Sequence, residues 1–249
     1  MRFFLIFWVS VLAYFPAFSQ ASVSNVYSHT PLPTDYQEKT LFEGTTRDYS
    51  HFLIQSITIG PNQPAQAVQQ LDEEVLLLVK SGELTLSLGD KHKALKPGNL
   101  AIVMPGDEYR VENKTAQPLT YYELRYTSNE VPDLDLYRLV GGSFWVDWQG
   151  VATTPTTEGS KQQLVPYPTI MSSRVAMQLT TLKSGLENPP VHKHRAAEVI
   201  LILKNPVQMH IAGREKEVQA GDLIFIDSEV PHSIRPDSPT GSTYLSLQF

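Results

Sequence analysis

Beyond residue 50, hydrophobic and polar positions alternate in short runs broken by Gly, Pro and Asp, with little of the 3.6-residue period of a helix. Residues 75–79, 84–88, 100–103 and 119–124 read as β-strands. A matching series follows at 199–203, 207–211, 223–226 and 243–247. Many short strands at even spacing predict an all-β sandwich or barrel. The two series also share an offset. Glu74 and Glu198 are 124 residues apart, as are Gly89 and Gly213; Gly98 and Gly221 are 123 apart, as are Tyr109 and His232. Four landmarks agreeing within one residue predict a duplicated unit, each copy a small barrel.

This divides the chain into a first barrel at 22–128, an inter-barrel stretch at 129–168 and a second barrel at 169–249. About forty structureless residues between compact units would be unusual. The aromatic run Ser143-Phe-Trp-Val-Asp-Trp148 is therefore expected to pack on a barrel. Burial is preferred over carbohydrate stacking for Trp145 and Trp148.

Residues 1–21 follow a different rule. Arg2 precedes an apolar run from Phe3 to Ala17, interrupted by Ser10 and Pro16, and small residues follow at Ala17, Ser19 and Ala21. This predicts a cleaved signal peptide, cut after Ser19 or Ala21, and an exported protein that is periplasmic or extracellular. The run is short for a bilayer span, and no other stretch approaches that length, so no membrane span is expected after cleavage.

Composition narrows the chemistry. In 249 residues, 41% hydrophobic and 18% charged content excludes a disordered, collagen-like or coiled-coil chain. Twenty Lys and Arg against 26 Asp and Glu, without a basic stripe, argue against nucleic-acid binding. With no cysteine, disulfides, thiolate nucleophiles and Fe–S clusters are excluded, and any metal must be held by nitrogen and oxygen.

One constellation carries such chemistry. In a strand, His192 and His194 project to one face while Lys193 points away. Glu198 can share that face at the start of the next strand, and His232 arrives from a separate strand after the Gly221-Asp222 turn. Three imidazoles and a carboxylate suit one divalent Mn, Fe, Co, Ni or Zn ion, leaving two octahedral positions open. In the first copy the corresponding histidine positions fall within Val68-Gln-Gln-Leu71 and the last is Tyr109, so no metal is expected there. A small-molecule cavity holding Gln70, Glu74 and Tyr109 stays open as an alternative. Arg174 and Gln178 are candidate contacts for a substrate carboxylate, and Glu187 is a candidate general acid or base. His210 either lines the pocket or sits on an outer face. His29, His51 and His92 read as surface residues.

The spacing His-x-His-x3-Glu followed by Gly-Asp-x9-His resembles the two motifs of the cupin superfamily. The duplication, with Glu43-Gly-Thr-Thr-Arg-Asp48 and Gly141-Gly-Ser-Phe-Trp-Val-Asp-Trp148, is similar to exported bacterial bicupins, a group with no established reaction. The resemblance implies two tandem jelly-roll (double-stranded β-helix) barrels with one metal site, at His192, His194, Glu198 and His232. It also leads one to expect Gly where Asn205 stands, and Pro and Gly where Asp227 and Glu229 stand, a change expected to reshape that loop. Cupins with this ligand set include dioxygenases, decarboxylases, isomerases and lyases, so the reading is a metal-dependent enzyme on a small oxygen-rich substrate such as a sugar acid, phenolic or dicarboxylate. A non-catalytic binding module with a structural metal is the alternative, and a storage protein is disfavoured by the intact ligand set. A homodimer is expected because such barrels often associate through their sheets.

Overall fold

On the strand Glu74–Ser81, Val75, Leu77 and Val79 face one way and Leu76 and Leu78 the other, and all five are fully buried. A strand apolar on both faces must lie between two packed layers. The computed structural model describes residues 24–28, 30, 36–165, 168–173, 175–186 and 189–249, and shows those layers. The expected signal segment 1–21, His29, Arg174 and Glu187 lie outside the described residues.

The structure is nearly all β. A six-stranded sheet runs in the order Phe144–Val146, Leu100–Val103, Glu74–Ser81, Leu119–Ser128, Tyr49–Ile59, Gln37–Gly44, and a four-stranded sheet containing Leu84–Leu88 and Glu108–Glu112 completes the first barrel. A seven-stranded sheet runs Asn25–Tyr27, Leu223–Ile226, Glu198–Lys204, Ser242–Gln248, Ala176–Leu182, Gly159–Val165, Thr154–Thr156. A three-stranded sheet of Arg214–Val218, Val207–Ile211 and His232–Pro236 completes the second barrel. All pairings are antiparallel.

Three cores follow from the alternation. The inward residues of each barrel form their own clusters, Val75, Leu77 and Val79 in the first and Ile200, Ile202 and Ile224 in the second. The largest cluster lies between the two large sheets and joins Leu76, Leu78, Tyr122 and Tyr126 to Val199, Leu201, Phe225 and Phe249. Phe42 stacks on Phe225 at 4.5 Å between ring centroids, and Phe52 meets Phe249 edge-on at 5.3 Å. The barrels therefore share their main apolar burial, worth roughly 1.5–3 kcal/mol for each large side chain.

The stretch 129–168 is more ordered than a connector. Asp133 caps the helix Leu134–Val140 by accepting from the Asp135 and Leu136 amides. Phe144–Val146 then joins the first barrel, and the hairpin of Thr154–Thr156 and Gly159–Val165 joins the second. Trp145 packs against the first barrel's interior and Trp148 against the inter-barrel core, the burial expected for them. Asn25–Tyr27, within the segment expected to open the first barrel, instead pairs with Leu223–Ile226 of the second. Among the described residues no helix is long and apolar enough to cross a membrane.

Candidate metal centre

His192 and His232 sit opposite each other on adjacent chain segments, exchanging two backbone hydrogen bonds of 2.9 and 2.8 Å. Such a closely paired couple holds both side chains on one face. His194 follows two residues on, its carbonyl accepting from the Glu229 amide at 2.8 Å. Glu198 opens a strand whose inward positions continue through Ile200 and Ile202, so its carboxylate points into the barrel.

The three imidazoles converge. Their ring centroids lie 4.4–6.0 Å apart, and one ring nitrogen from each falls within 4.8 Å of the others. Backbone carbonyls hold the outer nitrogens: His194 Nδ1 lies 2.8 Å from the Ala196 oxygen, His232 Nδ1 2.8 Å from that of Val230, and His192 Nδ1 3.4 Å from that of Pro190. These contacts assign the proton to Nδ1 and turn each Nε2 lone pair toward the centre, the orientation metal-binding histidines need.

Glu198 Oε2 approaches His194 Nε2 at 3.3 Å and His232 Nε2 at 3.2 Å. His232 is buried, and its Nε2 has no aligned hydrogen-bond partner among the described residues, the 3.2 Å approach being an ion-pair distance only. Lone pairs and a carboxylate facing one another repel unless a proton or a cation lies between them. Burial alone would raise the Glu198 pKa, but His194 and His232 outweigh it and draw it down to about 2. Its hydrogen bond to Glu198 raises the His194 pKa. A metal ion would take the place of that proton, and the nitrogen-rich donor set suits a divalent transition metal. His192 is exposed, His194 half-buried and His232 buried, so the cluster opens to solvent on one side.

Gln248 is a member of the site that the motif does not reveal. Its Nε2 lies 3.3 Å from Glu198 Oε1 and 3.4 Å from His194 Nε2. Only its cross-strand register with Glu198 brings it there. Gln178 is opposite Ser246, which is opposite Ile200, so Gln178 lies on the inward face one row from Gln248, where its Nε2 donates to Gln163 Oε1 at 3.0 Å. His210 takes the outer face, between inward Met209 and Ile211. His51 pairs with Glu73 at 2.5 Å and His92 bonds Ser87 at 2.8 Å, both away from this centre.

The first barrel corrects one alignment. Val75 pairs with Val103 and Arg125, whereas Glu198 pairs with Ile226 and Gln248, each pair 123 residues on. Val75, not Glu74, is thus the counterpart of Glu198, and Gln69, Leu71 and Tyr109 stand where the histidines are. Glu74 faces the inter-barrel core, accepting from the Tyr126 hydroxyl at 2.5 Å and the Met171 amide at 3.1 Å. Gln70 is exposed and donates to the Gly106 carbonyl. The structure therefore does not bring Gln70, Glu74 and Tyr109 together. Tyr109 instead donates to Gln69 at 3.1 Å and to buried Glu123 at 3.3 Å, and Arg125 pairs with Glu123 at 2.6 Å. A fixed guanidinium thus occupies the counterpart of Gln248.

Residues 178–247 match the family described as the cupin domain. The second barrel is accordingly a cupin domain. Across both barrels the chain is similar to solved structures: AerE from Microcystis aeruginosa (TM-score 0.63, 16% identity, 91% of this chain and 97% of that one) and a cupin 2 conserved barrel domain protein from Leptotrichia buccalis (0.58, 12%, 88% and 91%). A mutant of Bacillus subtilis oxalate decarboxylase is also similar (0.62, 11%, 94% and 79%). At these identities the likeness is one of fold, and the fold is the two-barrel cupin. No curated protein matches the chain in sequence.

Proposed function

We propose that this chain is an exported two-barrel cupin that holds one divalent transition metal through His192, His194, Glu198 and His232 and acts as a metal-dependent enzyme on a small oxygen-rich substrate. One observation carries the reading: three Nε2 atoms, their rings tethered through Nδ1 to backbone carbonyls, converge with a buried carboxylate. The reaction belongs among dioxygenations, decarboxylations, isomerisations and eliminations. When bound, the metal supplies Lewis acidity, and redox chemistry if it is Mn, Fe or Ni.

The residues divide the remaining work. Gln248 Nε2 holds Glu198 Oε1, leaving Oε2 turned toward the imidazoles. Ile200, Ile226 and their neighbours form a dry floor beneath the centre. Gln178 and Ser246, facing the same interior, offer hydrogen bonds that orient substrate hydroxyl or carbonyl oxygens.

Elemental analysis of the purified protein tests this. About one Mn, Fe or Ni per chain, lost in His192→Ala together with turnover, supports the reading; zinc restricts it to non-redox chemistry. No bound metal after reconstitution, or full turnover in metal-free His192→Ala, overturns it.

A further inference from the structure

The outer face of the second barrel's small sheet carries another cluster of polar side chains, on the side opposite the metal centre. Strand pairing places Glu215, His210 and Ser233 in one row and Glu217, Gln208 and Arg235 in the next, where Gln219 bonds Glu217 and Gln208 donates to Asp237. Pro189 and Val191 wall these rows into a cleft of about 230 Å³. Three of its groups have no partner among the described residues. His210 Nδ1 is buried without a hydrogen bond. Ser233, 7% exposed, makes no side-chain hydrogen bond, and half-buried Arg235 has no carboxylate.

The duplication supplies an internal comparison. At 123 residues' remove, Val68, Ser87, His92 and Arg110 surround a cleft of about 200 Å³ on the first barrel. There His92 Nδ1 bonds the Ser87 hydroxyl at 2.8 Å, and Arg110 pairs at 3.3 Å with Glu112, which holds the place of Arg235. In the first cleft the histidine and the arginine each find a partner, although Arg110 Nε stays buried without one, whereas in the second cleft neither does among the described residues. Withdrawing such groups from water without a partner costs about 1–3 kcal/mol each.

We propose that the cleft on the second barrel binds a small organic carboxylate. The Arg235 guanidinium and the Ser233 hydroxyl take the carboxylate oxygens, His210 bonds the adjacent polar atom, and Val191 and Pro189 cover the apolar part. Glu215, exposed at the rim, favours a ligand with a hydroxyl or ammonium donor at its far end over a dianion. The volume equals about eight water molecules at roughly 30 Å³ each, room for a hydroxy- or amino-carboxylate. The site is independent of the metal centre, because the sheet backbone separates the His232 face from the Ser233 face.

Titration of the purified metal-loaded protein with lactate, read by saturation-transfer NMR, tests the assignment. A Kd of about 1 mM is expected for so small a ligand. Arg235→Gln should weaken it about tenfold through the lost charge-assisted contact, and His210→Phe several-fold through the lost hydrogen bond, while His192→Ala leaves it unchanged. The His210 variant serves if Arg235→Gln melts abnormally. Unaltered affinity in folded Arg235→Gln, loss of binding in His192→Ala alone, or no binding by the wild-type protein at about 10 mM lactate overturns the proposal.

Discussion

Replacing Glu198 by Gln in the chelator-treated protein isolates the charge at the centre. The carboxyl pKa falls from 4.5 to about 2 on folding, and every tenfold change in proton affinity corresponds to about 1.4 kcal/mol, so the charged form stabilises the fold by about 3 kcal/mol. Because its pKa is depressed, this contribution is present above about pH 4.5 and is lost as the pH falls toward 2. The raised pKa of His194 makes its share complete below about pH 6.5 and lost as the pH rises through the raised value. Both effects describe one interaction and count once. The advantage of wild type over Glu198→Gln is therefore bell-shaped, greatest between about pH 4.5 and 6.5. At 2–4 °C per kcal/mol for a chain of this size, it corresponds to about 6–12 °C in Tm. Urea midpoints of both proteins at pH 2.5, 5.5 and 9, with chelator present, measure it. A difference that is constant across the three pH values refutes the paired-charge account of the centre.

Other perturbations reach different parts of the molecule. Glu229 has φ 62, the left-handed backbone that glycine favours, and its amide supports the His194 carbonyl. Glu229→Gly should stabilise the protein by about 1 kcal/mol in urea unfolding, and a loss of stability would show that the Lys193–Glu229 pair at 3.1 Å matters more. Burial raises the Glu123 pKa and Arg125 offsets it in part. Arg125→Met should cost about 3–5 kcal/mol at pH 7, with stability recovering as acidification toward pH 4.5 neutralises Glu123; a pH-independent deficit would contradict this. Arg195 reaches from the histidine segment to Asp48 of the first barrel at 2.6 Å. Asp48→Ala should lower metal affinity several-fold, measured by competition with a chelator, while changing the melting temperature of the metal-free protein by no more than about 1 kcal/mol equivalent.

Much of the fold was legible because alternation alone identifies strands buried on one or both faces. The metal residues were legible because their spacing expresses strand geometry directly. The duplication was legible only to within one residue, and that residue mattered. Glu74 matches Glu198 in type at an offset of 124, but in a strand a one-residue slip sends a side chain to the other face. Gly89 and Gly213 misled in the same direction: the strands Leu84–Leu88 and Val207–Ile211 align at 123, and glycine has moved one place within the two-residue turn, where Ala212 takes φ 49. Asn205 follows the same logic, holding a left-handed φ of 60 as expected of Asn in place of Gly, and Glu229 preserves such a turn where a reshaped loop was expected. Gln248 and Arg125 were hidden because their roles come from cross-strand register, which no local pattern encodes.

The strand Asn25–Tyr27 has a counterpart. Phe144 pairs with Ile102 on the first barrel, and Asn25 pairs with Phe225, 123 residues on from Ile102. Each barrel is finished by an equivalent edge strand, one drawn from the segment that follows its barrel and the other from far upstream. The earliest of these strands to leave the ribosome therefore has to wait for a partner nearly two hundred residues later. Until Leu223–Ile226 is made, the upstream segment has no sheet to join; until it docks, that buried hydrophobic strand is an open edge of the kind that recruits foreign strands. Closure of the second barrel is thus a late, long-range event, and the interval before it is when the nascent chain is most exposed to misassembly.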